Sequence, residues 1–290
     1  MKLSIAIADT NALPSAFVVY RGFAECIPKA AKYGYNGVEL ALKRAGEIDQ
    51  RRLQNLLDDN NIEVSCISTG QVYADGGLML TDESKKSRDL VKNIFKEFID
   101  LAEGFGKIVN IGRVRGQIGN RSRQHVEALF VEVARELCEY ALPKKVTLIL
   151  EPVNRYEIDF INSVEEGVEL IKKVGMSNMM LMPDVFHMNI EDKNVSLDLA
   201  KNVEFIKYIH FADSNRLAPG QGHIDFRQIF DDLLYAGYTG WISAEILPKP
   251  DPDTAAKQTV DFLMPLIKDY NKRFIRDNKV LKLNLKNEEV

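Results

Sequence analysis

The stretch Met182-Pro183-Asp184-Val185-Phe186-His187-Met188-Asn189 decides the fold, because an apolar run ends there in a carboxylate and, three residues on, an imidazole. A strand that stops in this way presents both groups at its carboxyl end. The same ending recurs: Leu148-Ile149-Leu150 stops at Glu151, Tyr208-Ile209 at His210, and Ile242-Ser243-Ala244 at Glu245. Four runs thus carry metal-ligand residue types at equivalent places. A parallel barrel gathers its strand ends into one mouth, where residues distant in sequence meet around a single cation.

Working outward, strand-length apolar runs alternate with helical patterns along the chain. The expected strands are Leu3–Ile7, Gly37–Leu42, Val64–Ser68, Ile108–Ile111, Val146–Leu150, Met179–Met182, Ile206–Phe211 and Trp241–Ile246. They are rich in Val and Ile, as parallel strands buried on both faces require. Between them the spacing predicts helices over Ala24–Tyr33, Asp49–Asn60, Asp82–Phe105, Ser122–Tyr140, Ser163–Val174, Ser196–Lys201, Asp225–Ala236 and Asp253–Phe274. Starts at Ser or Asp and stops at Gly are the expected helix punctuation.

Eight strand-helix units favour a single-domain (β/α)8 TIM barrel over residues 1–277, since right-handed crossovers repeated eight times close on themselves. A doubly wound sheet would need a dinucleotide or phosphate fingerprint. Neither G-x-G-x-x-G after the first strand nor G-x-x-x-x-G-K-[ST] is present. Residues 278–290 read as a polar C-terminal tail.

Composition narrows the function. The chain is 46% apolar and 28% charged, typical of a globular protein, with no apolar run of the roughly 20 residues that a membrane span needs. The first residues, Met1 to Asp9, read as a strand rather than a leader, and Cys26, Cys66 and Cys138 as reduced core thiols; both suit a cytoplasmic protein. A net charge of -4 with scattered basic residues leaves no footprint for nucleic acid. The expected partner is a small molecule.

Taken together, Glu151, Asp184, His210 and Glu245 form a mostly hard ligand set. One imidazole and three carboxylates suit one divalent ion, Mn²⁺ first and Mg²⁺ or Co²⁺ next, with about two positions open to substrate oxygens. The loops beyond add a second layer. Glu151-Pro152-Val153-Asn154-Arg155-Tyr156-Glu157 places a further carboxylate, and His210-Phe211-Ala212-Asp213-Ser214-Asn215-Arg216 ends in a guanidinium. Arg216 and His187 are candidates to hold a carbonyl oxygen and acidify the neighbouring C–H, and Glu157 to bind a hydroxyl. The competing readings are a surface salt bridge for Arg216, a satisfied core histidine for His187 and a solvated loop carboxylate for Glu157. His223 reads as structural beside a helix that Asp225 caps, and neither His125 nor Trp241 is given a functional role.

These runs, with Pro183-Asp184-Val185-Phe186-His187-Met188-Asn189 and Pro219-Gly220-Gln221-Gly222-His223-Ile224-Asp225-Phe226, resemble the xylose-isomerase-like sugar isomerase/epimerase family. Within it the chain is most similar to the D-tagatose 3-epimerase and 5-keto-L-gluconate epimerase branch. The resemblance implies that Glu151, Asp184, His210 and Glu245 bind the metal, and that Glu151 and Glu245 are the catalytic pair on opposite faces of the reacting carbon. One removes its proton, a cis-enediolate forms with its oxygens on the metal, and the other returns a proton from the far side. Glu157, His187 and Arg216 match the substrate-orienting positions. The family also implies a homodimer or homotetramer.

The substrate is therefore expected to be a keto-sugar or keto-sugar acid: a ketohexose such as tagatose, psicose or fructose, or 5-keto-L-gluconate or a related ketohexonate. Ketohexose 3-epimerases usually have an aromatic-rich first strand, which Ile5-Ala6-Ile7-Ala8-Asp9-Thr10-Asn11 lacks. The loop Gly112-Arg113-Val114-Arg115-Gly116-Gln117 suggests local positive charge, with Arg115 as the arginine for a keto-acid carboxylate. Solvated arginines paired with helix carboxylates are the competing reading. Other readings of the whole chain are an aldose-ketose isomerase, a metal-dependent endonuclease and a non-catalytic sugar-binding barrel.

Overall fold

The computed structural model describes residues 1–13 and 17–288, with side chains through residue 277. Its strands are β1 (Lys2–Ala8), β2 (Tyr20–Arg21), β3 (Gly37–Ala41), β4 (Glu63–Ser68), β5 (Ile108–Ile111), β6 (Thr147–Leu150), β7 (Met179–Leu181), β8 (Tyr208–Phe211) and β9 (Trp241–Ala244). Every expected strand forms, within two residues at either end. β2 is an addition, a short parallel partner on the end of β1 through Ile7↔Tyr20 and Ala8↔Arg21.

All ladders are parallel, in the order β7-β6-β5-β4-β3-β1-β9-β8. The remaining seam, between β7 and β8, is bridged at Leu181↔Ile206 and Asp184↔His210. The Lys207 amide donates to Leu181 O at 3.0 Å and the His210 amide to Pro183 O at 2.9 Å. The sheet thus comes round on itself as a (β/α)8 TIM barrel in one domain. Each strand is almost wholly buried because its outer face lies under helices and its inner face fills the barrel.

Helix punctuation follows the expected chemistry. Side chains of Asp49, Ser84, Ser122, Ser163 and Asp225 accept from the first-turn amides of their helices, and Gly34, Gly175 and Gly237 end helices in the left-handed conformation. Two short helices, Gly70–Gly76 and Val185–Glu191, were not expected. Each is seven residues long and opens within four residues of a strand's end, so strand passes to helix with no separate apolar pattern to read. The last helix runs Pro252–Glu288, so the backbone of most of the tail continues that helix. Tail side chains and residues 289–290 lie outside the described residues. Among the described residues no helix is long and apolar enough to cross a membrane.

The interior of the barrel is not purely apolar. Ser4, Glu39, Ser65, Tyr208 and Ser243 are all 0% exposed. The Tyr208 hydroxyl donates to Glu39 Oε2 at 3.1 Å and lies 2.8 and 2.7 Å from the hydroxyls of Ser4 and Ser65. This layer lies beneath the mouth and fixes a buried carboxylate under it.

Candidate metal and substrate site

Glu151 follows β6, Asp184 caps the helix that follows β7, His210 lies within β8 and Glu245 follows β9. Four adjacent strands deliver four groups, and one ligand atom from each lies within 4.8 Å of all the others. The two glutamates come from the outer strands of this run, and Asp184 and His210 stand between them.

The cluster's guanidinium contact, Arg216 Nη2 to Glu245 Oε2 at 3.2 Å, leaves two of its buried polar atoms without a partner. His210 Nδ1 lies 3.3 Å from Glu151 Oε1 and 3.8 Å from Glu245 Oε2, yet it makes no aligned hydrogen bond. Asp184 Oδ2 is likewise buried without a donor. A buried ring nitrogen and a buried carboxylate oxygen, neither with an aligned partner, are what a cation would satisfy, so this donor set fits a divalent ion.

The electrostatics agree. Burial raises the pKa of Glu245 and Asp184 above the usual carboxylate range, and repulsion from Glu151 raises both further. For His210, burial works downward, but Glu39, Glu245 and Glu151 outweigh it and hold the imidazole well above its ordinary value. The field of the carboxylates favours positive charge at this point.

Glu39 is the residue that sequence reasoning missed. Its carboxylate lies 3.0 and 3.2 Å from His210 Nε2 and so accepts that N–H, which turns Nδ1 toward Glu151. Burial alone would raise the Glu39 pKa, but His210 and the Tyr208 and Ser243 hydroxyls bring it below the usual value. The available signal was a carboxylate in the middle of the apolar run Gly37-Val38-Glu39-Leu40-Ala41.

The substrate-orienting candidates converge on the same cavity, of about 540 Å³ including its open mouth, which Glu157, His187 and Arg216 line together with Glu151 and Glu245. The helix Val185–Glu191 sets His187 on the same side as Asp184, with Nε2 3.7 Å from Asp184 Oδ2. Asn154 Nδ2 donates to His187 Nδ1 at 2.7 Å, which leaves the ring proton on Nε2. Burial first, then Arg216 and His210, push the His187 pKa well below its usual value. His187 is therefore a neutral N–H donor at physiological pH.

Arg216 is held from three sides. Its Nη1 donates to Glu157 Oε1 at 2.7 Å and its Nη2 to Glu245 Oε2 at 3.2 Å. Its guanidinium lies 3.9 Å from the Phe17 ring centroid and 4.8 Å from that of Phe186. Its backbone is left-handed, φ 61°, a conformation that costs a non-glycine residue about 1–2 kcal/mol. Asp213 supports that loop by accepting from the amides of Ser214, Gly220 and Ile224. A Cβ on Gly222 would stand 2.2 Å from Asp213 Oδ1, so the glycine is required there. His223 Nδ1 lies 2.9 Å from Ser214 Oγ in the same loop, away from the ligand cluster.

Arg115 corrects an expectation. It is 0% exposed and does not line the cavity; Nε, Nη1 and Nη2 donate to Phe160 O, Glu151 O and Ile161 O at 2.7, 2.9 and 2.8 Å. It braces the backbone behind Glu151. The residue facing the cavity is Arg113, because both sit on the single 3-10 turn Arg113–Arg115. At three residues per turn, positions two apart point in different directions. Gln71, Asn110 and Phe17 also line the cavity and carried no sequence signal beyond residue type.

Fold and cluster together define a parallel barrel with a mixed carboxylate-imidazole cluster at its mouth. Residues 27–266 match the xylose isomerase-like TIM barrel family, and the chain belongs to it. It is 31% identical over 216 residues to an L-ribulose 3-epimerase of Mesorhizobium japonicum, covering 73% of this chain and 71% of that protein. It is also 30% identical over 130 residues to the 3-dehydro-D-guloside 4-epimerase of Escherichia coli, 44% of this chain and 50% of that one. Among solved structures, a D-allulose 3-epimerase from Methylomonas sp. in complex with D-allulose superposes with a TM-score of 0.77 at 22% identity, covering 91% of this chain and 98% of that one.

Proposed function

We propose that the protein is a divalent-metal-dependent epimerase that inverts the carbinol carbon next to the ketone of a keto-sugar, either a ketohexose or a ketohexonate. One observation carries the reading: Glu151 and Glu245 stand on the two outer strands of a four-strand run, on either side of Asp184 and His210. Two carboxylates at the flanks of one small cavity can reach opposite faces of one carbon, and a single base cannot. Named relatives that epimerise keto-sugars support the same reading.

Glu151, Asp184, His210 and Glu245 would hold the cation, Mn²⁺ in this reading, which when bound supplies the positive charge that makes the C–H beside a ketone acidic. His187 Nε2–H donates to the carbonyl oxygen, and Arg216 places a fixed guanidinium beside it. Glu157 is oriented by Arg216 to accept from a substrate hydroxyl. One of the two catalytic glutamates takes the proton, leaving a cis-enediolate. The other returns a proton from the opposite face, and the configuration inverts.

The test is turnover of ketohexoses and ketohexonates in D₂O with Mn²⁺, followed by NMR. A deuteron at the inverted carbinol carbon with no aldose is expected. An aldose product would show proton delivery to the neighbouring carbon and replace epimerisation with isomerisation.

A further inference from the structure

One wall of the cavity is chemically unfinished. Gln71 is 3% exposed; its Nε2 donates to Ala41 O at 2.6 Å, and its Oε1 is buried without a donor. Asn110 is 2% exposed; its Nδ2 reaches Glu151 Oε2 at 3.5 Å, and its Oδ1 also lacks a donor. Buried acceptors without a donor weaken a fold unless something supplies one.

Arg113 lines the same cavity; its side chain is 24% exposed and its guanidinium stands 5.6 Å from the Tyr73 ring centroid. Its guanidinium makes no hydrogen bond among the described residues. Its one ionic neighbour, Glu157 Oε2, is 3.7 Å away, and the other oxygen of Glu157 already takes Arg216 Nη1 at 2.7 Å. Two guanidinium groups thus face one carboxylate, and the fork of Arg113 is uncommitted.

We infer that this wall is a recognition subsite for a polyhydroxylated keto acid, in which Arg113 takes the substrate carboxylate and Gln71 Oε1 and Asn110 Oδ1 accept hydroxyl hydrogens. The inference rests on the epimerase reading for the reaction, but the binding chemistry stands on the wall itself. A guanidinium matches a planar carboxylate with two parallel N–H···O bonds, which a neutral hydroxymethyl group does not offer. Phosphate shares this anionic chemistry, so the probes must separate the two.

The experiment compares wild type with Arg113→Met, both loaded with Mn²⁺, on 5-keto-L-gluconate, D-tagatose and D-fructose 6-phosphate. Wild type is expected to have its highest kcat/KM on the keto acid. The variant should lower the ratio of keto-acid to tagatose kcat/KM about 10- to 100-fold, the range for losing a charge-assisted pair. Better turnover of tagatose or of the phosphate by wild type, or an equal loss on acid and ketose, overturns it. If neither protein turns over any keto-sugar, the epimerase reading has failed, and calorimetric binding of unreactive D-gluconate decides the subsite alone. Gluconate binding at least tenfold weaker in the variant supports it, and equal binding sinks it.

Discussion

The strands of the first and last parts of the barrel place their polar side chains at different depths. In β6, β7, β8 and β9 the candidate ligands Glu151, Asp184, His210 and Glu245 stand at or beyond the carboxyl ends, where the mouth opens. In β1, β3 and β4 the polar residues Ser4, Glu39 and Ser65 stand inside the strands and point into the barrel, gathered around the Tyr208 hydroxyl. One region sets Glu151 and Glu245 against the cavity; the other buries a carboxylate deeper, where it holds His210 Nε2. The contrast shows that a barrel site has a floor as well as a rim, and that β1, β3 and β4, which add nothing to the rim cluster, build the floor together with Tyr208 of β8 and Ser243 of β9.

The largest expected effect breaks the rim. Glu151→Gln and Glu245→Gln each remove a carboxylate base, and each should lower kcat on the best keto-sugar by about 100- to 10,000-fold. Steady-state assays at saturating Mn²⁺ check this, and full turnover in either variant would mean that another group is the base.

A second test separates the two arginines of one turn. Arg115→Met leaves three backbone carbonyls without their charged donor, and unfolding stability should fall by about 3 kcal/mol or more. Burial pulls the Arg115 pKa down to about 10, so the group is still charged at neutral pH and its loss is felt there. Arg113→Met, at the open wall, should stay within about 0.5 kcal/mol of wild type. Urea midpoints at constant slope measure both.

The smallest effect concerns the floor. Glu39→Gln keeps the shape but weakens the hold on His210 Nε2, and Mn²⁺ affinity should drop about 10- to 100-fold by calorimetry, without need of any substrate. The same titration carries a pH signature. Glu245 is raised to about 8 and holds a proton at neutral pH, while Asp184, raised to about 6, holds one only below it, so protons must leave these carboxylates as the cation enters. Apparent affinity in wild type therefore rises with pH through the neutral range, and binding heats depend on the buffer's ionisation enthalpy. A flat pH profile would remove these carboxylates from the ligand set.

Much of the molecule was legible without coordinates. Alternating Val- and Ile-rich runs and capped helical patterns specify strand-helix units locally, because burial on both faces and cap chemistry act within a few residues. The four residues of the mouth cluster were legible for the same reason: each breaks an apolar run at its carboxyl end. Helix Val185–Glu191 was not, since its one useful product, His187 set one turn from Asp184, depends on a seven-residue helix with no stripe to read.

What the sequence by itself determined is the repeating unit, its number and the residue types waiting at the strand ends, all consequences of side-chain period and local backbone preference. Tertiary structure alone decided which polar groups lose water together. Closure of the sheet put Glu39 under His210, turned Arg115 inward against three carbonyls and left Arg113 uncommitted at the cavity wall. Those outcomes depend on distances across the barrel between residues up to 171 positions apart, which no local pattern encodes.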